Sequence, residues 1–458
     1  MRKFDFDYLV IGSGVAGRTA ALMAVNSGMK VGVVEAGKWG GESLRNWAIP
    51  YLVVSEVARN YDILRKNEKN GIYGSELSYN YPTMMRRKEN LLRQRANIKK
   101  ELEEAGVKCL DGFAHFLDPH KVAVGEVGEV SARKFLIATG SKIKNGKITH
   151  VKNVNLLTPS EVLNLERLPK TATVIGGGAS GCEIAEYLAK LGVEVSLIEK
   201  ETTLMPQEDK EIGQTLREYF ELELNVFVIN KANVQAVEQA QEIKKVIFSS
   251  EGKYKSIRSE AVILATGKQP MVDVGLENAG VKYDESGVKV NSLMRTNIRH
   301  IFAAGSVAQN NSTINSLEKS AHEAGVASAN MINRGKNLVN YVGMTRRADL
   351  ALGVASVGLT EKMCKARRIK YKTVNVKIDQ TLIGRVRGMS YGFVKIIVDR
   401  NKKILGASVV APQADLVIQE ISLAMRTGAK ILDLAMTPHA MHDYAEMVKI
   451  AARELAQQ

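Results

Sequence analysis

The stretch that decides the fold is Val10–Glu35, VIGSGVAGRTAALMAVNSGMKVGVVE, and the chain carries it twice. Residues 174–199 read VIGGGASGCEIAEYLAKLGVEVSLIE and align with it, without a gap, at an offset of 164 residues. Each copy opens on an apolar strand, turns through Gly-x-Gly-x-x-Gly and runs along an amphipathic helix to a further glycine (Gly28, Gly192). Each closes on a strand that ends in glutamate (Glu35, Glu199). The three motif glycines have separate tasks. Gly12 and Gly176 permit a tight turn, Gly14 and Gly178 let a pyrophosphate approach the backbone, and Gly17 and Gly181 let helix and strand pack closely. The helix start offers free N–H groups and the positive end of its dipole to phosphate. The glutamate, 18 residues past the last glycine, is placed to accept from ribose hydroxyls. Two such units imply two dinucleotides, and a flavin facing a nicotinamide is the most economical pairing. Glu199 favours a free 2′-hydroxyl over a 2′-phosphate, so NAD(H) is expected ahead of NADP(H), with Lys200 beside it softening the preference.

Composition sets the outer bounds. The 458 residues suffice for about three domains. With 45% apolar and 25% charged residues there is ample material for a buried core. No run of about 18 apolar residues occurs, so no membrane span is expected, and the N-terminus lacks the apolar segment of a signal peptide. Cys109, Cys182 and Cys364 are far apart and form no metal-ligand cluster, which fits a reducing, cytoplasmic setting without a metal site. Lysine and arginine total 64 against 49 acidic residues, a formal charge of +15. These cations are spread along the chain. The densest stretch, Met85–Arg95 running on to Lys99, Lys100 and Glu101, reads as one charged helix with Leu91, Leu92, Ile98 and Leu102 on its apolar side. A solvated helix face is the reading there, and nucleic acid is not an expected partner.

Beyond the repeat, several segments resemble the FAD-dependent pyridine nucleotide–disulfide oxidoreductases, the family of dihydrolipoyl dehydrogenase, glutathione reductase, mercuric reductase and the soluble transhydrogenase. Gly40-Gly41 stands in the place of the family's GGTC turn. Phe135–Ser141 (FLIATGS) and Ala261–Pro270 (AVILATGKQP) resemble its two Ala-Thr-Gly segments, and Ile301–Ser306 (IFAAGS) its strand to the flavin's ribityl chain. Val354–Glu361 and Gly392–Lys395 are similar to its C-terminal domain. The resemblance covers nearly the whole chain. It implies an α/β protein with two Rossmann-like nucleotide-binding domains plus a C-terminal α+β dimerisation domain. Residues 1–148 and 268–340 would bind FAD, 149–267 NAD(H), and 341–458 would make a homodimer, with apolar strands near 371–378, 392–399 and 404–411 and a helix over 415–427. It assigns Gly12, Gly14, Gly17, Glu35, Gly41, Ser43, Ala114, Thr139, Gly140, Gly305 and Ser306 to FAD, and Gly176, Gly178, Gly181, Glu199 and Gly267 to the nicotinamide dinucleotide. It also sets a helix start near Leu317–Lys319 against the flavin, with Lys319 as an assisting cation.

The family's sulfur chemistry does not carry over. Its GGTCxxxxCxP reads here Gly40-Gly41-Glu42-Ser43-Leu44-Arg45-Asn46-Trp47-Ala48-Ile49-Pro50, so both cysteine positions are vacant, at Ser43 and Ala48. Neither a hydroxyl nor a methyl can form a disulfide or a thiolate. In the family's HAHPTxSE, counted back from Glu446, the catalytic histidine position is Met441, leaving His439 and His442 as candidates beside Glu446. Glu183 holds the place of the family's flavin-side glutamate, but Tyr51 and Leu52 follow Pro50 where the family has its lysine. Glu183 is therefore expected to pair with Arg45 or to be neutral. Ser306 replaces the family's ribityl aspartate, and Glu42 replaces a threonine near the pyrophosphate.

The candidate catalytic residues are thus Glu183, His442 and Glu446. The leading expectation is an FAD-dependent NAD(P)H oxidoreductase that reduces a non-disulfide small-molecule electron acceptor: a quinone, another carrier, dioxygen or a second nicotinamide. Two alternatives stand beside it. One is a dihydrolipoyl dehydrogenase-like enzyme acting on a thiol or disulfide by an atypical route. The other is a catalytically degenerate flavoprotein serving as redox sensor or binding protein.

Overall fold

The computed structural model describes residues 3–67, 71, 77–95, 97–144, 148, 154–310, 314, 316–333, 335–440 and 442–458. The chain divides into two compact units. One comprises Met1–Ser55, Asn80–Lys144 and Lys268–Tyr341; the other comprises Glu56–Tyr79, Asn145–Gly267 and Val342–Gln458.

The first unit is built on a parallel sheet. Strand Phe6–Ile11 lies between Val31–Glu35 and the long strand Gly128–Ile137, and Lys108–Asp111 extends the far side of Val31–Glu35. The strands are near-continuous apolar runs because helices cover both faces of such a sheet. Tyr8, Leu9 and Val10, and Phe135, Leu136 and Ile137, have no exposed surface. Gly128–Ile137 does double duty. Its first half pairs antiparallel with Lys121–Val124, while its last residues pair in parallel with Ile301–Ala303. That last pairing brings the distant segment 301–306 to the carboxyl ends of the strands, where open α/β sheets bind ligands.

One expectation is corrected here. The charged stretch after Met85 is two helices, Tyr81–Arg95 and Ile98–Glu104. Asn97 starts the second by accepting the Lys100 N–H at 3.0 Å through its side chain, an N-cap. Ile98 and Leu102 are buried, as their spacing requires, while Leu91 and Leu92 are only half-buried.

The second unit repeats the nucleotide motif on a four-stranded parallel sheet, in the order Phe227–Ile229, Glu194–Ile198, Thr171–Ile175, Ala261–Leu264. It also contains a five-stranded antiparallel sheet. Thr345–Ala348 and Val354–Gly358 precede the three expected strands, seen at Tyr371–Lys377, Phe393–Asp399 and Ile404–Val410. Helix Ala414–Thr427 covers one face. Buried ion pairs fasten this sheet to the segment after the repeat. Arg346 grips both carboxylate oxygens of Glu208 at 2.7 and 2.9 Å, and Lys395, 2% exposed, meets Asp209 at 3.4 Å and Glu211 at 3.1 Å.

The two glycine turns are geometric twins. Gly12 and Gly176 adopt φ of 105° and 109°, a region closed to most side chains, and a Cβ on either would sit 2.4 Å from the carbonyl oxygen of Ala138 or Ala265. A Cβ on Gly17 or Gly181 would lie 1.8 Å from the Gly12 or Gly176 carbonyl oxygen. Alanine normally improves a helix interior by about 1 kcal/mol over glycine. Here the clash reverses the sign. Gly181→Ala is expected to lower stability by about 1–3 kcal/mol, whereas Gly178→Ala, whose Cβ meets nothing within 4 Å, is expected to be near neutral. Thermal melts of the two variants check this.

Candidate functional site

The first unit encloses a cavity of about 550 Å³ at the carboxyl ends of its parallel strands. Of the residues assigned to FAD, Gly12, Gly14, Glu35, Gly41, Ser43, Ala114, Thr139, Gly140, Gly305 and Ser306 line it. Gly17 does not; it acts behind the wall, at the helix–strand contact. Gly14 and Gly41 bring two backbones together, since a Cβ on Gly41 would lie 2.6 Å from Gly14 Cα.

The walls suit a pyrophosphate. Some helices of the chain begin on side-chain caps, as at Thr158, Thr360 and Thr381, and others, such as Lys210–Glu223 and Ala414–Thr427, carry an acid in the first turn instead. Helices Val15–Asn26 and Ala179–Lys190 begin on Gly14 and Gly178, with no side-chain cap and no acid in the first turn. Their leading N–H groups and dipole ends are left for an anion. The residues present therefore fit the FAD that the fold implies.

Each terminal glutamate also braces its own turn. Glu35 accepts from the Ser13 N–H at 2.9 Å, the Ser13 hydroxyl at 2.6 Å and the Gly37 N–H at 2.8 Å. Glu199, 5% exposed, accepts from the Gly177 N–H at 2.6 Å and the Glu201 N–H at 2.9 Å. The backbone donors correspond pairwise at the same offset as the repeat. A carboxylate has about four acceptor sites, so capacity for ribose hydroxyls remains.

Ser43 and Ala48, which the resemblance aligns with the family's two cysteines, lie at the two ends of a π-helical turn, Ser43–Ala48, which leads into helix Ile49–Arg65. A π turn brings residues five apart into register, and it is a rare form concentrated at functional sites. Ser43 and Asn46 face the cavity, and Asn46 was not foreseen from sequence. Its amide donates to Glu42 at 2.5 Å, a contact that holds the carboxylate standing where the family has a threonine near the pyrophosphate. Arg45 donates to the Trp39 carbonyl oxygen at 3.4 Å.

Lys319 departs from its expected place. The start of helix Leu317–Asn333 does border the cavity, through Leu317 and Ser320, but Lys319 is buried and pairs with Glu323 at 3.4 Å. Glu323, fully buried, also accepts from the Gly305 N–H at 2.8 Å, the Asn310 amide at 2.6 Å and the Tyr341 hydroxyl at 2.7 Å. This carboxylate fixes the turn that presents Gly305 and Ser306 to the cavity.

In the second unit, Gly176, Gly178, Gly181 and Glu199 form the second turn, and Gly267 follows strand Ala261–Leu264 with φ of 98°. Glu183 sits on helix Ala179–Lys190, 7% exposed, and accepts from the Asp349 N–H at 2.8 Å. Burial pushes its pKa up to about 8, outweighing that hydrogen bond and the field of Arg347. Of the two states expected for Glu183, the neutral one is thus favoured up to that pH. His439 has both ring nitrogens engaged: Nδ1 lies 2.8 Å from the Thr437 carbonyl oxygen and Nε2 lies 2.9 Å from Glu420 Oε2. His442 is exposed, on left-handed backbone at φ 67°. Glu446 opens the last helix, and its Oε2 is buried without a hydrogen-bond partner among the described residues. Met441 lies outside the described residues.

The Glu183 shift carries a stability signature. Below about pH 4.5 the carboxyl is protonated both folded and unfolded. As pH rises, the unfolded chain ionises first, so native stability falls until about pH 8 and then levels. An amide in place of this carboxyl cannot ionise and keeps an acceptor for the Asp349 N–H. The Tm advantage of Glu183→Gln over the parent is expected to grow between pH 5 and 8 and then plateau; parallel profiles would remove the shift.

The comparisons with known proteins agree with this geometry. Residues 6–327 match the family model "Pyridine nucleotide-disulphide oxidoreductase", and residues 350–452 match that family's dimerisation domain. A mercuric reductase of Bacillus cereus is 29% identical over 457 residues, covering 98% of this chain and 71% of the relative. A dihydrolipoyl dehydrogenase of Staphylococcus aureus is 28% identical over 462 residues, covering 98% and 96%. Among solved structures, the HOCl-induced flavoprotein disulfide reductase RclA from Escherichia coli superposes with a TM-score of 0.85 at 21% identity, covering 98% of this chain and 99% of that one, a likeness of fold. The chain belongs to the pyridine nucleotide-disulphide oxidoreductase family, whose members are FAD-dependent oxidoreductases that use NAD(P)H.

Proposed function

We propose that the protein oxidises NADH through FAD and passes the electrons to a small-molecule acceptor without a redox disulfide of its own. The observation that carries this reading is the pair Ser43 and Ala48 at the two ends of the π turn. The remaining thiols support it. Cys182 and Cys364 are buried, and desolvation pushes the half-buried Cys109 up to about 11, leaving it almost wholly as thiol at neutral pH.

Bound FAD would supply the redox chemistry, taking up hydride and giving up electrons singly or in pairs. The chain's residues bind and orient. The N–H groups after Gly14 and Gly178 hold pyrophosphates, and Glu35 and Glu199 take the adenosine riboses. Glu199 repels a 2′-phosphate, which supports NADH over NADPH. The start of helix Leu317–Asn333 sets its positive end toward the cavity, where it stabilises developing negative charge. The reading retains the division into an FAD domain (1–148 and 268–340), an NAD(H) domain (149–267) and an interface domain (341–458) acting as a homodimer. Leu416, Leu423, Leu432 and Met436, at 56–76% exposure, support an apolar contact there. A second reading, disulfide reduction by another route, is favoured by the names of the relatives, which include a dihydrolipoyl dehydrogenase and a flavoprotein disulfide reductase.

The visible spectrum of the purified protein, followed through anaerobic NADH addition and then acceptors one at a time, separates these readings. NADH is expected to bleach the flavin bands, and a quinone to restore them. Recovery only with a lipoyl or glutathione disulfide supports the second reading; a flavin indifferent to NADH supports a sensor or binding protein. A variant with Cys109, Cys182 and Cys364 all changed to Ala is expected to keep acceptor reduction within about threefold of the parent; its abolition would sink the sulfur-free route. Gly178→Val fills the open face of the second turn. It is expected to retain FAD and lose bleaching by NADH, and normal bleaching would misplace the nicotinamide site.

A further inference from the structure

The C-terminal sheet gathers cations that lie far apart in sequence. Tyr371 pairs with Asp399, so the turn entering strand Tyr371–Lys377 and the turn leaving strand Phe393–Asp399 share one end of the sheet. Lys403 bridges to Lys430, which adds a third segment. Arg367, Arg368, Lys370, Arg400, Lys403 and Lys430 are exposed there. None of the six side chains forms an ion pair among the described residues.

Of the acids in and beside these segments, Glu361 is held by an ion pair, and Asp399 and Asp433 by backbone donors of the turns themselves. Glu361 is paired with Lys395 and accepts from the Tyr371 hydroxyl at 2.6 Å. Asp399 accepts the N–H groups of Asn401 and Lys403 at 2.8 and 2.9 Å, and Asp433 that of Lys430 at 2.7 Å. Arg368 occupies left-handed backbone, φ 55°, where glycine or asparagine would be less strained, so the guanidinium is held at a cost in conformational energy. No large apolar side chain of turns 367–370 and 400–403 is exposed. Protein partners are bound around a desolvated apolar or aromatic centre, and membranes by inserted apolar groups. At turns 367–370 and 400–403, guanidinium and ammonium groups without such a centre fit a repeating array of phosphates; the third segment differs, since Leu432, two residues past Lys430, is 56% exposed.

We propose that this end of the C-terminal sheet binds the phosphate backbone of nucleic acid without reading its sequence. The surface revises the expectation drawn from the even spread of charge along the chain, because strand register, not sequence proximity, assembles it. None of the six lines the cavity at the first glycine turn.

The test is fluorescence anisotropy of the full-length, FAD-loaded protein with a labelled 20-base-pair duplex of arbitrary sequence, from 50 to 200 mM KCl. Binding is expected to weaken linearly on a log–log plot with a slope of about −4 to −5, since each neutralised phosphate contributes about −0.9. R367Q/R368Q/K370Q is expected to flatten the slope by about 2–3 and to weaken binding at least tenfold at 100 mM, with NADH oxidation unchanged. Arg368→Gly relieves the backbone strain. It should melt no lower than the parent, yet flatten the slope by about 1. R86Q/R87Q, on helix Tyr81–Arg95, is expected to change nothing. Absence of binding at 50 mM overturns the proposal, as does a slope that follows R86Q/R87Q instead. Tighter binding to phosphatidylserine vesicles or to polyglutamate than to the duplex overturns it in favour of a membrane or an acidic protein.

Discussion

The structure rests on a carbonyl oxygen that no side chain can approach. In both turns the carbonyl of the first motif glycine lies where a Cβ on the third would stand, 1.8 Å away. That contact lets the helix descend close to the strand end and point its uncapped N–H groups at one spot. The closing glutamate then ties the turn to the next strand through two backbone donors, Ser13 and Gly37 in one copy, Gly177 and Glu201 in the other. Two sequences that differ at most helical positions thus reach one geometry, because the positions that differ are not the ones that set it.

This explains how much of the molecule is legible in its sequence. The glycine turns, the glutamates and the alternating strands of the C-terminal sheet follow from local rules, and the cavity gathers nearly every residue assigned to it. What cannot be read is what register decides. Nothing local tells that Lys319 turns to Glu323, since a lysine and a glutamate four apart on a helix are most often a surface pair. Burial of both, with Gly305, Asn310 and Tyr341 completing the shell, is a product of strands 128–137 and 301–303 lying side by side. Asn46 escapes a reading by sequence because a π turn changes which residues share a face. The charged stretch after Met85 reads as one helix because its periodicity is nearly continuous, and Asn97, a good cap, is the signal that marks the break.

Loss of sulfur without loss of the π turn constrains what the site can do. The turn still presents Ser43 and Asn46 to the cavity. At the other end of the family's thiol chemistry, His439 has both ring nitrogens engaged and Glu446 keeps an oxygen buried without a donor among the described residues. A buried acceptor lacking a donor costs about 1–3 kcal/mol, so Glu446 is not held there by its own hydrogen bonding. By the resemblance to the family, the thiol positions and the histidine position read here as Ser43, Ala48 and Met441, while both nucleotide turns keep their glycines. That pattern is the one expected under the proposed sulfur-free reading, in which electrons pass between nucleotides.

Glu183 is a buried acid whose protonation differs from that of a surface carboxylate. Two other buried acids of the second unit are held by several donors: Glu186 by the Ala351 N–H, the Tyr219 hydroxyl and Lys190, and Asp62 by Lys190, Arg65 and Lys66. On Glu183 desolvation outweighs every favourable contact, and its pKa stands near 8. A carboxyl of that kind is protonated at neutral pH and still exchanges its proton readily, whereas a surface glutamate is already ionised and a lysine rarely gives its proton up. Two-electron acceptors such as quinones need protons as well as electrons, and a thiol–disulfide centre would have needed a histidine to manage them. The proposed sulfur-free reading, in which Met441 stands at the family's histidine position, therefore gives the proton role to Glu183, a buried carboxyl on the helix of the second nucleotide turn.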